Sequence, residues 1–369
     1  MAGFEFTKYV TYEDTGSIIA IRGLNCKNGS LDLRDVKYID NSDFSKLSRS
    51  KLYVGDILYT YVGTVGEVAV VDKNDKYYLA PNVSRIRLSK DYNSDFIKQL
   101  LSSKKFYYKI VFPLIATSSQ PALSMENLRR FKLRVPSIKE QKKIASLFNA
   151  IDERIATQNK IIEDLKKLKS AIIDYAINSL DTDFAKFGSL YEMAGEGGTP
   201  TTSNASFYDN GKIPFIKIDD LKQKYLTENK DFITELGLQK SSAWLVPTHS
   251  ILFSNGATIG EISITTYPVC TKQGILGIVP KQNIDVEFLY YFMSSSYFKK
   301  AVSRIVTEGT MKTAYLKDIN NILCPIPTKE KQQEIAKMPS ALNSKIDFEQ
   351  SILKLFCSQK QHLLRQMFI

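Results

Sequence analysis

Histidine is nearly missing from this chain: His249 and His362 are the only two among 369 residues. Histidine-rich metal chemistry has little to build on. Cysteine is scarce too, and Cys26, Cys270, Cys324 and Cys357 form no C-x-x-C pair. That scatter gives no zinc ribbon and no disulfide framework, and it suits a reducing cytoplasm. No apolar run approaches the roughly 18 residues of a membrane span, and the N-terminus carries no signal-peptide pattern. The G-x-x-x-x-G-K-[ST] phosphate loop, an N-P-P-[YF] clamp for a flipped adenine and a P-D…E-x-K nuclease triad are all absent. Ser118 and Ser119 have no nearby histidine to activate them. The stretch Gly195-Glu196-Gly197-Gly198 follows no clear strand and opens no helix, so it reads as a loop and not as a cofactor cradle. None of these catalytic or cofactor motifs is therefore legible in the chain.

Positive charge and duplication are what the chain has. Fifty Lys and Arg face 39 Asp and Glu, a formal charge of +11. A basic chain of this size points to nucleic acid, the plain alternative being a basic solvated surface. At roughly 150 residues per domain, about two domains are expected. The duplication supports that count. Val135-Pro136-Ser137-Ile138-Lys139-Glu140-Gln141-Lys142-Lys143-Ile144-Ala145 returns as Ile326-Pro327-Thr328-Lys329-Glu330-Lys331-Gln332-Gln333-Glu334-Ile335-Ala336, 191 positions later. Upstream, Leu123 to Leu128 pairs with Ala314 to Ile319 at the same offset. Further back, Gly55-Asp56-Ile57-Leu58-Tyr59 matches His249-Ser250-Ile251-Leu252-Phe253, and Thr64-Val65-Gly66-Glu67 matches Thr258-Ile259-Gly260-Glu261, now offset by 194.

Each copy has the texture of short strands: Asp56–Val62 and Glu67–Val71 are β-branched or aromatic and broken by glycine. Gly66 and Gly260 mark turns where a Cβ would clash. Phe96–Phe112 and Phe288–Val302 read as one helix per copy, with the pairs Tyr107-Tyr108 and Tyr290-Tyr291 assigned to the core and not to base stacking. The copies differ at their starts. Phe187 through Thr199-Pro200 precedes the first matching strand of the second copy and has no counterpart in the first. Either the first copy lacks that opening, or another part of the chain supplies it.

After each hinge comes a long apolar-periodic segment. Ser137 and Glu140 form a capping box after Pro136. Phe148, Ile151, Ile155, Ile162, Leu165, Ile172 and Ala176 then keep a 4-3 spacing, broken by Gln158 and Lys169. The second segment repeats it with Leu342, Ile346, Leu353, Phe356, Leu363 and Met367, broken by Glu349 and Lys360. Laid antiparallel, the seams match with Ile155 on Leu363, Ile162 on Phe356 and Ile172 on Ile346. The polar breaks then pair as Lys169 with Glu349 and Gln158 with Lys360, which would set the register. The expected fold is α+β: two mixed α/β domains separated by two long antiparallel helices in a coiled coil, related by an internal pseudo-twofold. Two heads held apart by helices of roughly 55–60 Å suit two half-sites on one DNA duplex.

Taken together these motifs are family-specific. The repeated strand with T-x-G-E (Gly55 to Glu67, His249 to Glu261), Ser118-Ser119-Gln120-Pro121-Ala122-Leu123-Ser124, the V/I-P-x-x-x-x-Q-x-x-I-A hinge and Gly197-Gly198-Thr199-Pro200 stand in order over nearly the whole length. The chain thereby resembles the specificity subunits of type I restriction-modification systems. The resemblance implies target-recognition domains at residues 1–136 and 181–327 and spacer helices at 137–180 and 328–369. Each domain would read half of a split sequence on double-stranded DNA. The helices would dock two methyltransferase subunits and, through them, restriction subunits. S-adenosylmethionine, ATP and Mg2+ would sit on those partners and none on this chain, which would work in the cytoplasm and away from membranes.

Base readers are polar side chains on loops that match the donors and acceptors of the major groove. In the first copy the candidates are Arg22, Asn25, Lys27, Asn28, Tyr61, Asn82, Arg85, Ser118, Ser119 and Gln120. In the second they are Asp219, Asp220, Lys222, Asn255, Lys272, Gln273, Thr310 and Lys312. The loops differ while the frame repeats, so the two half-sites should differ. Arg129, Arg130, Lys142, Lys143, Lys166 and Lys167 are candidates for phosphate contact or simply a solvated face. Two rivals stay open at this point: an assembly scaffold that reads nothing, and a self-sufficient DNA methyltransferase.

Overall fold

The computed structural model describes residues 3–27, 29–116, 121–256, 258–306 and 312–367. It divides into two compact units, Met1–Asn159 with Ser351–Ile369, and Lys160–Gln350.

In the first unit Ile57–Thr60 is the central strand of a three-stranded sheet, antiparallel to Val68–Val70 on one side and Val83–Ile86 on the other. Alternation decides which residue faces where. Ile57 and Tyr59 pack on Phe96, Ile97, Phe106 and Phe148, whereas Leu58 and Ala69 pack against Ile19, Ile21, Tyr77 and Leu79. Both faces are covered, so all four residues of the central strand are buried.

The second unit repeats this plan. Ile251–Ser254 runs antiparallel to Ile262–Thr265 and to Ile275–Pro280. Ile251 and Phe253 join Phe288, Phe292 and Phe298 in the larger core, while Leu252 faces Ile216, Val246 and Val269. Here the sheet is extended to five strands: Tyr191–Glu196 pairs with Ile275–Pro280, and Tyr225–Leu226 runs parallel to Ile262–Thr265. Phe184–Lys186 and Leu323–Pro325 form a separate antiparallel pair. Among the described residues of the first unit, Val83–Ile86 has no strand on its other edge. Gly195 and Glu196, read above as loop, therefore close a strand, with Gly195 lying against the Trp244 ring.

The long helices run Ile138–Asn178 and Lys329–Met367. The capping box forms: Ser137 Oγ accepts from Glu140 N at 3.4 Å, and Glu140 Oε2 accepts from Ser137 N at 3.1 Å. Two expectations fail. The single helix per copy is broken by a serine in each. Ser103 and Ser295 turn into extended backbone and accept from Phe106 N and Phe298 N, so each caps a second helix.

The seam register also differs from expectation. Lys169 donates to Asn343 Oδ1 at 2.9 Å, six residues short of Glu349, while Glu349 pairs with Lys345 of its own helix at 2.6 Å. In the first unit Lys360 pairs with Asp152 at 2.5 Å in place of Gln158. A lysine one turn away satisfies Glu349 locally, and similar seams match in more than one register. Burial pushes the Lys169 ammonium down, and Asp347 partly restores it.

Candidate nucleic-acid interface

Each unit brings its loops together with the same clamp. In the first, Thr60 Oγ1 donates to Thr64 O and accepts from Glu67 N at 2.9 Å, while Gly66 N reaches Thr60 O at 3.0 Å. In the second, Ser254 Oγ donates to Thr258 O and accepts from Glu261 N at 2.8 Å, and Gly260 N reaches Ser254 O at 3.0 Å. The turn demands left-handed backbone at Gly66 (φ 99°) and Gly260 (φ 108°), but the expected Cβ clash exists only at Gly66; at Gly260 the space is open and the backbone angle alone favours glycine. One buried hydroxyl satisfies both ends of the loop, so Ser254→Ala is expected to cost about 1–3 kcal/mol. Ser254→Thr should be close to neutral, because threonine already does this work at position 60. Thermal unfolding of the two variants checks the pair.

Beyond each clamp, backbone bonds gather three segments. In the first unit Tyr61 N donates to Asn82 O at 3.1 Å, Leu123 N to Tyr61 O at 2.8 Å and Gly63 N to Pro121 O at 2.9 Å. In the second, Asn255 N donates to Gly274 O at 3.0 Å and Ala314 N to Asn255 O at 2.9 Å. A fourth segment joins there: Glu196 Oε1 accepts from Gly274 N at 2.9 Å and Thr199 Oγ1 accepts from Gln273 N at 3.3 Å. Gly197 sits so tightly on Thr271 that a Cβ would fall 2.2 Å from its carbonyl oxygen.

The candidates fall into groups. Tyr61, Asn82, Asn255, Lys272, Gln273 and Lys312 lie at or beside these loop clusters. Lys272, Gln273 and Lys312 are exposed, and Asn82 holds a left-handed φ of 71° at its turn. Asn255 is buried, gives Nδ2 to Ala314 O at 3.3 Å, and its Oδ1 has no partner among the described residues. Asn25 is a correction. It is fully buried, its amide donates to Asp32 O and Asp35 O, and its oxygen accepts from Arg22 N, so it pins a turn and is not free to read a base. Arg22 pairs with Asp35, Lys27 with Asp32, and Arg85 donates to Lys51 O. Asp220 caps Lys217 N, and Asp219 pairs with Lys222. Asn28, Ser118, Ser119, Gln120 and Thr310 lie outside the described residues. Of the phosphate candidates, Arg130 and Lys167 pair with Glu126 and Glu163 on their own helices.

Sequence reasoning missed an aromatic surface. Tyr290 and Tyr291 are buried as expected, but Tyr108 is 62% exposed and Phe112 59%. It also missed why Gln141 and Gln332 recur. Gln141 Oε1 accepts from Asn93 N and its Nε2 donates to Pro136 O; Gln332 does the same for Asp285 N and Pro327 O. Each amide ties a hinge proline to the helix cap 48 or 47 residues upstream.

The comparisons agree with this geometry. The type I restriction modification DNA specificity domain matches residues 11–167 and 181–355. The putative type I restriction enzyme MjaX specificity subunit of Methanocaldococcus jannaschii is 24% identical over 347 residues, 87% of this chain and 79% of that protein. The HindI specificity subunit of Haemophilus influenzae is 21% identical over 389 residues, covering 83% of this chain and 82% of its own. The crystal structure of a type I S subunit from M. genitalium superposes with a TM-score of 0.58 at 17% identity, over 98% of this chain and 91% of that one. At that identity the likeness shows the fold.

Proposed function

We propose, from the premise that this chain belongs to the type I restriction modification DNA specificity family, that each of its two loop clusters reads one half of a split, asymmetric DNA sequence. Recognition is this subunit's task, and catalysis belongs to partner subunits. The observation that carries the reading is the duplicated clamp, Thr60 in one unit and Ser254 in the other, holding loops of different composition. A constant frame with unlike loops is what two different half-sites require.

In this reading residues 1–136 and 181–327 are the recognition domains. The long helices, 137–180 and 328–369, pack antiparallel as a coiled coil about a pseudo-twofold and fix the separation of the half-sites. Two methyltransferase subunits dock on the helices and carry restriction subunits with them. Ile161, Leu168 and Tyr175 support this, because they are exposed at seven-residue intervals along one helix, with Tyr175 77% exposed. The partners hold S-adenosylmethionine, ATP and Mg2+, and the complex works in the cytoplasm. No helix among the described residues is long and apolar enough to cross a membrane.

Co-expression with the methyltransferase subunit encoded beside it, followed by mapping of methylated bases, tests the reading. The expected product is a split, asymmetric motif with adenine methylated on both strands. A stable complex that adds no methylation would leave only a scaffold.

A further inference from the structure

Between Lys104 and Leu114 the first unit exposes aromatic rings interleaved with lysines. After the Ser103 cap, Tyr107–Val111 winds as a π-helix, a rare wide turn that recurs at functional sites. Phe106 and Val111 stay buried, while Tyr108 and Phe112 face solvent. The rings form a preset cluster: Tyr107 lies 5.3 Å from Tyr108 and 6.3 Å from Phe112, and Tyr108 lies 6.1 Å from Phe112. Tyr107 covers the glycine turn so closely that a Cβ on Gly66 would fall 2.8 Å from its ring. The patch also leads straight into the loop cluster, because Ala116 N donates to Ala122 O and Ala122 bridges to Val62.

The second unit supplies a contrast. Its matching helix, Ser296–Ile305, starts from the equivalent Ser295 cap with Phe298 where the first unit has Phe106. The residues matching Tyr107, Tyr108 and Phe112 are there Lys299, Lys300 and Arg304. One copy has a cationic face where the other has an aromatic one.

We propose that Tyr108 and Phe112 form a wedge that inserts against the bases of duplex DNA at the half-site served by the first unit, with Lys104, Lys105 and Lys109 on the flanking phosphates. The proposal rests on the DNA-reading function argued above. The lysines select the occupant. None of the three has an ion-pair partner among the described residues, and lysine is depleted at the core of protein–protein interfaces. A polyanion that also offers flat apolar faces satisfies both residue types at once, and aromatic wedges at an unstacked step are an established way of engaging duplex DNA.

The test uses the complex with its methyltransferase, duplexes carrying 2-aminopurine at successive positions, and the double variant Tyr108→Ala, Phe112→Ala. The expected result is binding weaker by about 10-fold or more, with loss of a fluorescence rise at one step and intact assembly. The swap Tyr108→Phe, Phe112→Tyr keeps both rings and should behave as wild type, which guards against misfolding. Unchanged affinity and fluorescence would overturn the wedge. Failure of the alanine variant to assemble, where the ring swap assembles, would overturn it in favour of a protein-docking patch. A wild-type complex that binds target and shuffled duplexes alike would refute sequence reading, and the fluorescence comparison would still decide the wedge.

Discussion

Glu287→Ala is expected to destabilise the second unit by about 3–5 kcal/mol, because it strands a buried cation. The Lys224 side chain is only 2% exposed, with Glu287 Oε2 at 2.9 Å and Ser340 Oγ at 2.9 Å. The Tyr225 and Tyr291 ring centroids lie 4.7 and 4.8 Å from its ammonium. Remove the carboxylate and a hydroxyl and two ring faces must hold a full charge. Glu287→Gln keeps the shape and should lose less. Chemical unfolding measures both, and a loss under about 1 kcal/mol would mean that the pair behaves like a surface ion pair.

The same site sets a pH dependence. Burial raises the Glu287 carboxyl, but donation by Ser340, Tyr225 and Lys224 outweighs it, so the pKa lies below its ordinary 4.5. A carboxylate depressed in the folded state contributes stability that is full above its unfolded pKa and lost as pH falls through the folded one. Acid should therefore unfold wild type more steeply than the Glu287→Gln variant.

The second large effect is expected from Gln332→Leu, at about 3 kcal/mol. Gln332 is 1% exposed, accepts from Asp285 N at 2.8 Å, and donates to Pro327 O at 2.9 Å and Asn283 O at 3.3 Å. Leucine fills the space and leaves those buried backbone groups unpaired, each costing roughly 1–3 kcal/mol before relaxation. Gln141→Leu breaks two such bonds and should cost about 2 kcal/mol. Hydrogen exchange should report the damage at Val286–Phe288, the start of the helix that Gln332 helps to cap. A change within about 0.5 kcal/mol, as for an ordinary surface substitution, would show that the amide holds nothing.

What the sequence made legible was whatever recurred. The strands around Ile57 and Ile251 and the glycine turns depend on short stretches of chain, and duplication raised them above noise; the Ser137 capping box is equally local. The reason for Gln141 and Gln332 was not legible, since the helix caps they hold, at Asn93 and Asp285, stand more than 45 residues away and only the folded chain brings them close. The helix breaks were written in the sequence as Ser103-x-x-Phe106 and Ser295-x-x-Phe298. An apolar pattern running through both serines concealed them. Tyr108 was misplaced because residue type suggests burial, whereas the π-turn decides which ring points outward. Asn25 illustrates the opposite error: an asparagine suited to base reading is equally suited to holding a turn. The helix register failed for a combinatorial reason, as two seams of like residues have several good alignments and local pairing by Lys345 removed the penalty against a slip.

The clamp also bears on which positions tolerate substitution. Loop shape in each unit comes from backbone bonds and a single hydroxyl, Thr60 or Ser254, while the exposed side chains of Lys272, Gln273 and Lys312 contribute little to it. Substitutions at such positions need not be compensated elsewhere, because they leave folding free energy nearly untouched. Exchanging the loop-tip side chains should therefore leave stability within about 0.5 kcal/mol, whereas losing either hydroxyl should not.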